Sequence, residues 1–148
     1  MVNADDAYER CYAITAWYDG PRSGIADYQG RPHLYESEFG DIAPGECDDT
    51  FLLMPLDQEA FQLALDDYAI YLRWEAAYRA GTAAEETHPA LPEDRARHED
   101  IERRLGERLV LDQAKAVRAK ADFRWREEPD PLNRGARLCE VKWTPVEE

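Results

Sequence analysis

Cys11-Tyr12-Ala13-Ile14-Thr15-Ala16-Trp17-Tyr18 is a run of aromatic and β-branched residues closed by Asp19-Gly20-Pro21. A run of that composition ended by a turn signal predicts a β-strand. Residues 24–28 predict a second short strand, and Gln29-Gly30 follows with the positive φ that a tight turn needs. Residues 33–39 return as a third strand. Connections this short join antiparallel neighbours, because parallel strands need a long crossover. Pro32 has no amide hydrogen for a ladder, so this hairpin is expected near a sheet edge.

Downstream, Phe51-Leu52-Leu53-Met54 is fully apolar and ends at Pro55, which predicts a buried central strand. Asp57 is a plausible helix cap, and Phe61, Ala64, Leu65, Tyr68, Tyr71 and Leu72 behind it follow one helical face as far as Gly81. Pro92-Glu93-Asp94 favours a second helix start. Ile101, Leu105 and Leu109, then Ala114, Val117, Ala121 and Trp125, read as a helical stripe with a kink or break near Gly106. Residues 138–143 (Leu-Cys-Glu-Val-Lys-Trp) alternate with period two and predict a last strand. The expectation is a single α+β domain over residues 1–148. Its antiparallel sheet has about four or five strands, from residues 11–55 and 136–144, packed with two or three helices from residues 57–127.

A chain of 148 residues with 44% hydrophobic content can bury a core without disulfides or metals. Its net charge is −14, and the imbalance is regional. Residues 1–67 hold fifteen carboxylates against Arg10, Arg22 and Arg31, whereas residues 68–148 hold seventeen against fifteen Lys or Arg. A one-sided field of this kind acts on partner choice and encounter rate rather than on fold. It repels a phosphate backbone, so neither nucleic acid nor an anionic membrane is the expected partner. No stretch approaches the ~20 apolar residues of a membrane span. The first residues, Met-Val-Asn-Ala-Asp-Asp-Ala, have neither the basic nor the apolar region of a signal peptide. Cys11, Cys47 and Cys139 are odd in number and widely spaced, which reads as reduced thiols and a cytoplasmic location.

The densest collection of special residues is the 18–24 loop, where Arg22 and the Ser23 hydroxyl, with Tyr18 and Asp19, are candidate ligands for an anionic group. It lacks the lysine and the glycine spacing of phosphate loops. His33 and Tyr35 share one face of the third strand, Glu36 and Glu38 the other. With a two-residue turn, Ala26 faces His33 and Asp27 faces Pro32, whereas a four-residue loop puts Tyr28 beside His33 and Asp27 opposite Leu34; neither register supplies an Asp–His dyad. No catalytic residue is assigned. His33, His88 and His98 form no metal-ligand spacing with each other or with the cysteines, so no metal and no cofactor is expected. Lys115 to Arg126 has the composition of a nucleic-acid stripe, but on a helix Arg118 and Lys120 fall on different faces. Two functional expectations follow. The first is a non-catalytic binding or inhibitor-type module engaging a basic protein surface, with a homodimer through the helical region. The second is a small enzyme or ligand-binding domain, with Tyr18, Asp19, Arg22, Ser23, His33 and Tyr35 at a site between the 18–24 loop and the 33–36 strand.

Overall fold

The computed structural model describes residues 7–17, 20–38, 50–133 and 136–146. Tyr18, Asp19, Phe39, Cys47 and the acidic segment up to Asp49 lie outside them. Six strands form one sheet: β1 (Glu9–Trp17), β2 (Pro21–Tyr28), β3 (Arg31–Ser37), β4 (Thr50–Pro55), β5 (Val117–Pro129) and β6 (Arg137–Pro145). Each pairs antiparallel with its neighbour in sequence, and β6 pairs back onto β1 to close a barrel. Two α-helices, α1 (Gln58–Arg79) and α2 (Arg95–Leu105), lie between β4 and β5. The class is α+β, as the hairpin spacing predicts, with six strands rather than four or five.

The sixth strand is β5, which the 3–4 recurrence of Ala114, Val117, Ala121 and Trp125 had assigned to a helix. The same segment also carries a period of two. Val117, Ala119, Ala121, Phe123 and Trp125 lie on one face, while Arg118, Lys120, Asp122, Arg124 and Arg126 lie on the other. Alanine, lysine and arginine favour helix locally, but pairing with both β4 and β6 decides the outcome. Closure also corrects the position of Pro32. It lies on β3, which is paired on both sides, and its carbonyl accepts from the Leu56 amide at 3.0 Å. The β2–β3 turn has the two-residue register, with Tyr28 opposite Arg31 and Ala26 opposite His33.

The chain packs as two compact units, the barrel unit of Met1–Asp57 with Val110–Glu148 and the helical unit of Gln58–Leu109. The barrel is filled by four aromatic rings. Tyr35, Phe51, Phe123 and Trp143 touch in all six combinations, with centroids 5.7 to 6.0 Å apart and tilted or edge-on geometry. Such arrangements set the positive ring edge against a neighbouring negative face. Small residues, Gly24, Ala26 and Ala119 among them, leave room for these rings. The Trp143 indole donates to the Asp27 carbonyl at 3.0 Å, so its polar atom is satisfied. A six-stranded barrel is narrower than the eight-stranded kind that side chains just fill, and the four rings occupy the interior of this one.

The helical unit has its own core of Ala60, Leu63, Ile70, Ala90, Ile101 and Leu105. The buried stripe of α1 therefore runs through Ala60, Leu63, Ala64, Ile70 and Trp74, offset from the predicted face and sharing only Ala64 with it. Both stripes of this helix are apolar, and periodicity alone does not choose between them. Tyr68, Tyr71, Trp74 and Tyr78 stack in series along the helix. A 3-10 turn at Pro92–Asp94 leads into α2, as the proline predicts. Asp94 spends its carboxylate on Arg73 rather than on the helix amides, with two bonds of 3.0 Å that hold it below the usual carboxylate range. No described helix is long and apolar enough to cross a membrane.

Candidate functional site

Alternating strand direction gives the barrel two ends. One carries Trp17, Pro21, Ser37, Thr50, Pro129 and Arg137; the other carries Glu9, the Gln29-Gly30 turn, Pro55, Val117 and Pro145. The candidate residues from the sequence divide between them. Arg22 is buried near the first end, four residues along β2 from Ala26, the partner of His33. Four residues of strand span about 13 Å, so Arg22 and His33 do not converge. Ser23 bonds the Thr15 hydroxyl across β1 at 2.8 Å. The Nδ1 of His33 lies 2.8 Å from the Arg31 carbonyl, which can only accept, so that nitrogen carries the proton. The His33 ring meets Tyr28 edge-on at 5.3 Å. Tyr35 is fully buried and donates its hydroxyl to the Ala13 carbonyl at 3.1 Å, which makes it a core residue. Tyr18 and Asp19 lie outside the described residues.

Asp27 finds its partner on another strand. The Tyr12 hydroxyl, on β1, donates to it at 2.9 Å. Burial raises the Asp27 carboxyl above its ordinary value, and the Tyr12 bond opposes that rise. Burial, then the Asp27 carboxylate, push Tyr12 up to about 12. Around them, the Arg10 guanidinium stands 5.0 Å from the Tyr12 ring centre and 3.6 Å from Asp130. Glu9 accepts from the amides of Gln29 and Gly30 at 3.1 and 2.8 Å, holding the turn whose Gln29 has φ +54°. This cluster ties β1 to β2, and the tie has a testable consequence. Removing the phenol in Tyr12→Phe is expected to move the Asp27 carboxyl further upward in a carbon-detected NMR titration. An Asp27 value that stays put or falls would contradict the account. The sign for stability follows. A carboxyl raised in the folded state binds its proton more readily there, so its contribution declines as pH rises from the ordinary carboxylate value through the folded one. Asp27→Asn is expected to flatten that part of the stability profile.

A second polar cluster, in the helical unit, was invisible in sequence because its members are 31 residues apart. His98 is buried, with Nδ1 2.6 Å from Asp67 on α1 and Nε2 3.2 Å from Glu102 on α2. Both ring nitrogens face carboxylates, leaving neither directed at an open space, so the geometry is that of a tie between helices. The barrel unit has an open cleft of about 750 Å³ bordered by Tyr28, Leu52, Val117 and Pro145. Its charged groups, Glu38 and Arg118, are bonded to each other at 2.8 Å. No group of three metal-ligating side chains occurs among the described residues. Trp17, Tyr78 and Trp125 are exposed aromatics, and the ring centres of Trp17 and Trp125 lie 5.9 Å apart. No protein-family model, curated protein or solved structure matches the chain.

The basic segment changes its meaning on a strand. Arg118, Lys120, Arg124 and Arg126 are spaced by even numbers, so they share the outward face of β5. That row has the layout of an anion-binding footprint, yet its arginines are neutralised within the fold. Arg118 pairs with Glu38, Arg124 with Glu140 at 2.9 Å, and Arg126 with Glu140 and Glu128. Arg124 also stands 3.8 Å over the Tyr8 ring.

Proposed function

We propose that this protein is a non-catalytic binding module whose acidic N-terminal half engages a basic protein surface. The observation that carries the reading is the internal use of the cations. Arg73, Arg79, Arg108, Arg118 and Arg124 each bond a carboxylate of their own unit, and Asp100 alone serves Arg97, Arg103 and Arg104. Residues 1–67 carry a twelve-charge excess of carboxylates; Arg118, Arg108 and Arg97 meet Glu38, Glu59 and Asp66 there, and the chain as a whole still keeps a net charge of −14. A surplus of one sign that the fold does not neutralise is available to an oppositely charged partner, raising the association rate at low salt. The filled barrel supports a surface rather than an enclosed ligand site, and the separation of Arg22 from His33 weakens the small-molecule alternative.

The test is capture from a source lysate by the immobilised protein at low and at high salt, with partners identified by mass spectrometry and the affinity of the leading one measured by calorimetry. A basic partner is expected, with affinity that falls as salt rises. An acidic partner, or affinity unaffected by salt, would overturn the reading.

A further inference from the structure

We propose that Cys11 and Cys139 form a redox-active dithiol whose oxidation staples β1 to β6 and locks the barrel closed. The β1–β6 ladder pairs Glu9 with Val141 and Arg10 with Glu140. One further step in that register sets Cys11 opposite Cys139. Facing residues of antiparallel strands have Cα atoms about 4.5–5.5 Å apart, inside the ~4.4–6.8 Å range that a disulfide spans. Both residues are free thiols, both are buried, and both belong to the barrel core, so their side chains point to the same interior. Each is the other's hydrogen-bond partner. Cys11 Sγ is also 3.6 Å from the Tyr35 hydroxyl.

The bond between the two sulfurs acts on their protons. It favours the thiolate at Cys11 and lowers that thiol from its ordinary value. Sharing its proton with Cys11, together with burial, holds Cys139 up. Attack by either thiolate leaves the other sulfur to resolve the mixed disulfide, and the exchange balances alike from Cys11 or from Cys139. With a small disulfide such as oxidised glutathione, the Cys11 thiolate forms a bond to one glutathione sulfur. The other glutathione leaves as thiolate and takes up a proton. Cys139 then loses its proton and attacks the Cys11 sulfur, breaking the mixed disulfide and releasing the second glutathione. The two cysteines lose two electrons and two protons, and the glutathione disulfide gains both. Access comes from the seam itself, because among the described residues the β1–β6 ladder is the shortest of the six and opens at least cost.

The experiment uses the full chain carrying Cys47→Ala, so that the pair holds the remaining thiols. Oxidised glutathione added to the folded protein is expected to abolish both free thiols and lower the mass by two hydrogens, and a proteolytic peptide should join Cys11 to Cys139. Because the bond spans most of the chain, it removes much freedom from the unfolded state, and the melting temperature is expected to rise by ~10 °C and return on reduction. Two thiols left free, or a glutathione adduct that persists on one sulfur, would overturn the pairing. A cross-link that forms without raising the melting temperature would overturn the stapling role.

Discussion

Gly24→Ala is expected to unfold the barrel or leave it at the edge of stability. A Cβ on Gly24 would lie 1.9 Å from the Ala13 carbonyl oxygen, 2.8 Å from its carbon and 2.7 Å from the Tyr35 hydroxyl. Carbon atoms do not approach oxygen so closely, and the obstructing group is backbone rather than the free end of a flexible side chain. The Ala13 carbonyl sits between register shifts of β1 and accepts the buried Tyr35 hydroxyl, so moving it breaks that bond as well. Overpacking a core costs about 1–3 kcal/mol where side chains can adjust. With backbone in the way, the upper end of that range is the expected minimum, against a total of about 5–15 kcal/mol for an ordinary domain. Gly30→Ala is the control. Gly30 has φ +77° with open space around it, so only backbone conformation opposes a side chain there, at about 1 kcal/mol. Urea denaturation of the two variants separates the causes. Equal losses at both positions would sink the close-packing explanation.

Tyr35→Ala is expected to cost about 3–5 kcal/mol, the range for deleting a large buried aromatic. Its ring contacts Phe51, Phe123 and Trp143, so its loss leaves a void at the centre of the barrel. Tyr35→Phe keeps the rings and removes only the hydroxyl. That strips the buried Ala13 carbonyl of this donor, at about 1–3 kcal/mol. Gly24 and Tyr35 are linked through the Tyr35 hydroxyl oxygen. Tyr35→Phe removes the 2.7 Å clash of a Gly24→Ala methyl but leaves the 1.9 Å clash with Ala13, so the double variant should remain severely destabilised. Near-complete rescue by Tyr35→Phe would show that the backbone at Ala13 yields easily. Melting curves of the single and double variants decide the matter.

What the sequence made legible was local. The turn signal at Gln29-Gly30 leaves two registers of β2 on β3, of which the two-residue one forms, and both deny Asp27 to His33. The partner that Asp27 does have, Tyr12, comes through the pairing of β1 with β2, and bulges in that pairing disguise the alignment. β5 failed for a different reason. A segment of alternating alanine and arginine satisfies a helical and a strand period together, and only the neighbours β4 and β6 choose. Misreading it hid both the closure of the sheet and the common face of the basic row. Asp67 and His98 needed the packing of α1 on α2 to meet, which no spacing rule reports.

Closure of β6 onto β1 has a consequence for how anything docks here. An open sheet offers a row of unpaired amides and carbonyls on which a foreign peptide can lie as an extra strand. In this barrel each strand is paired on both sides over part of its length, so main-chain recognition of that kind is confined to the stretches beyond the ladders, such as the short β1–β6 seam. Elsewhere on the barrel a bound protein reads side chains, and specificity passes to charge and shape.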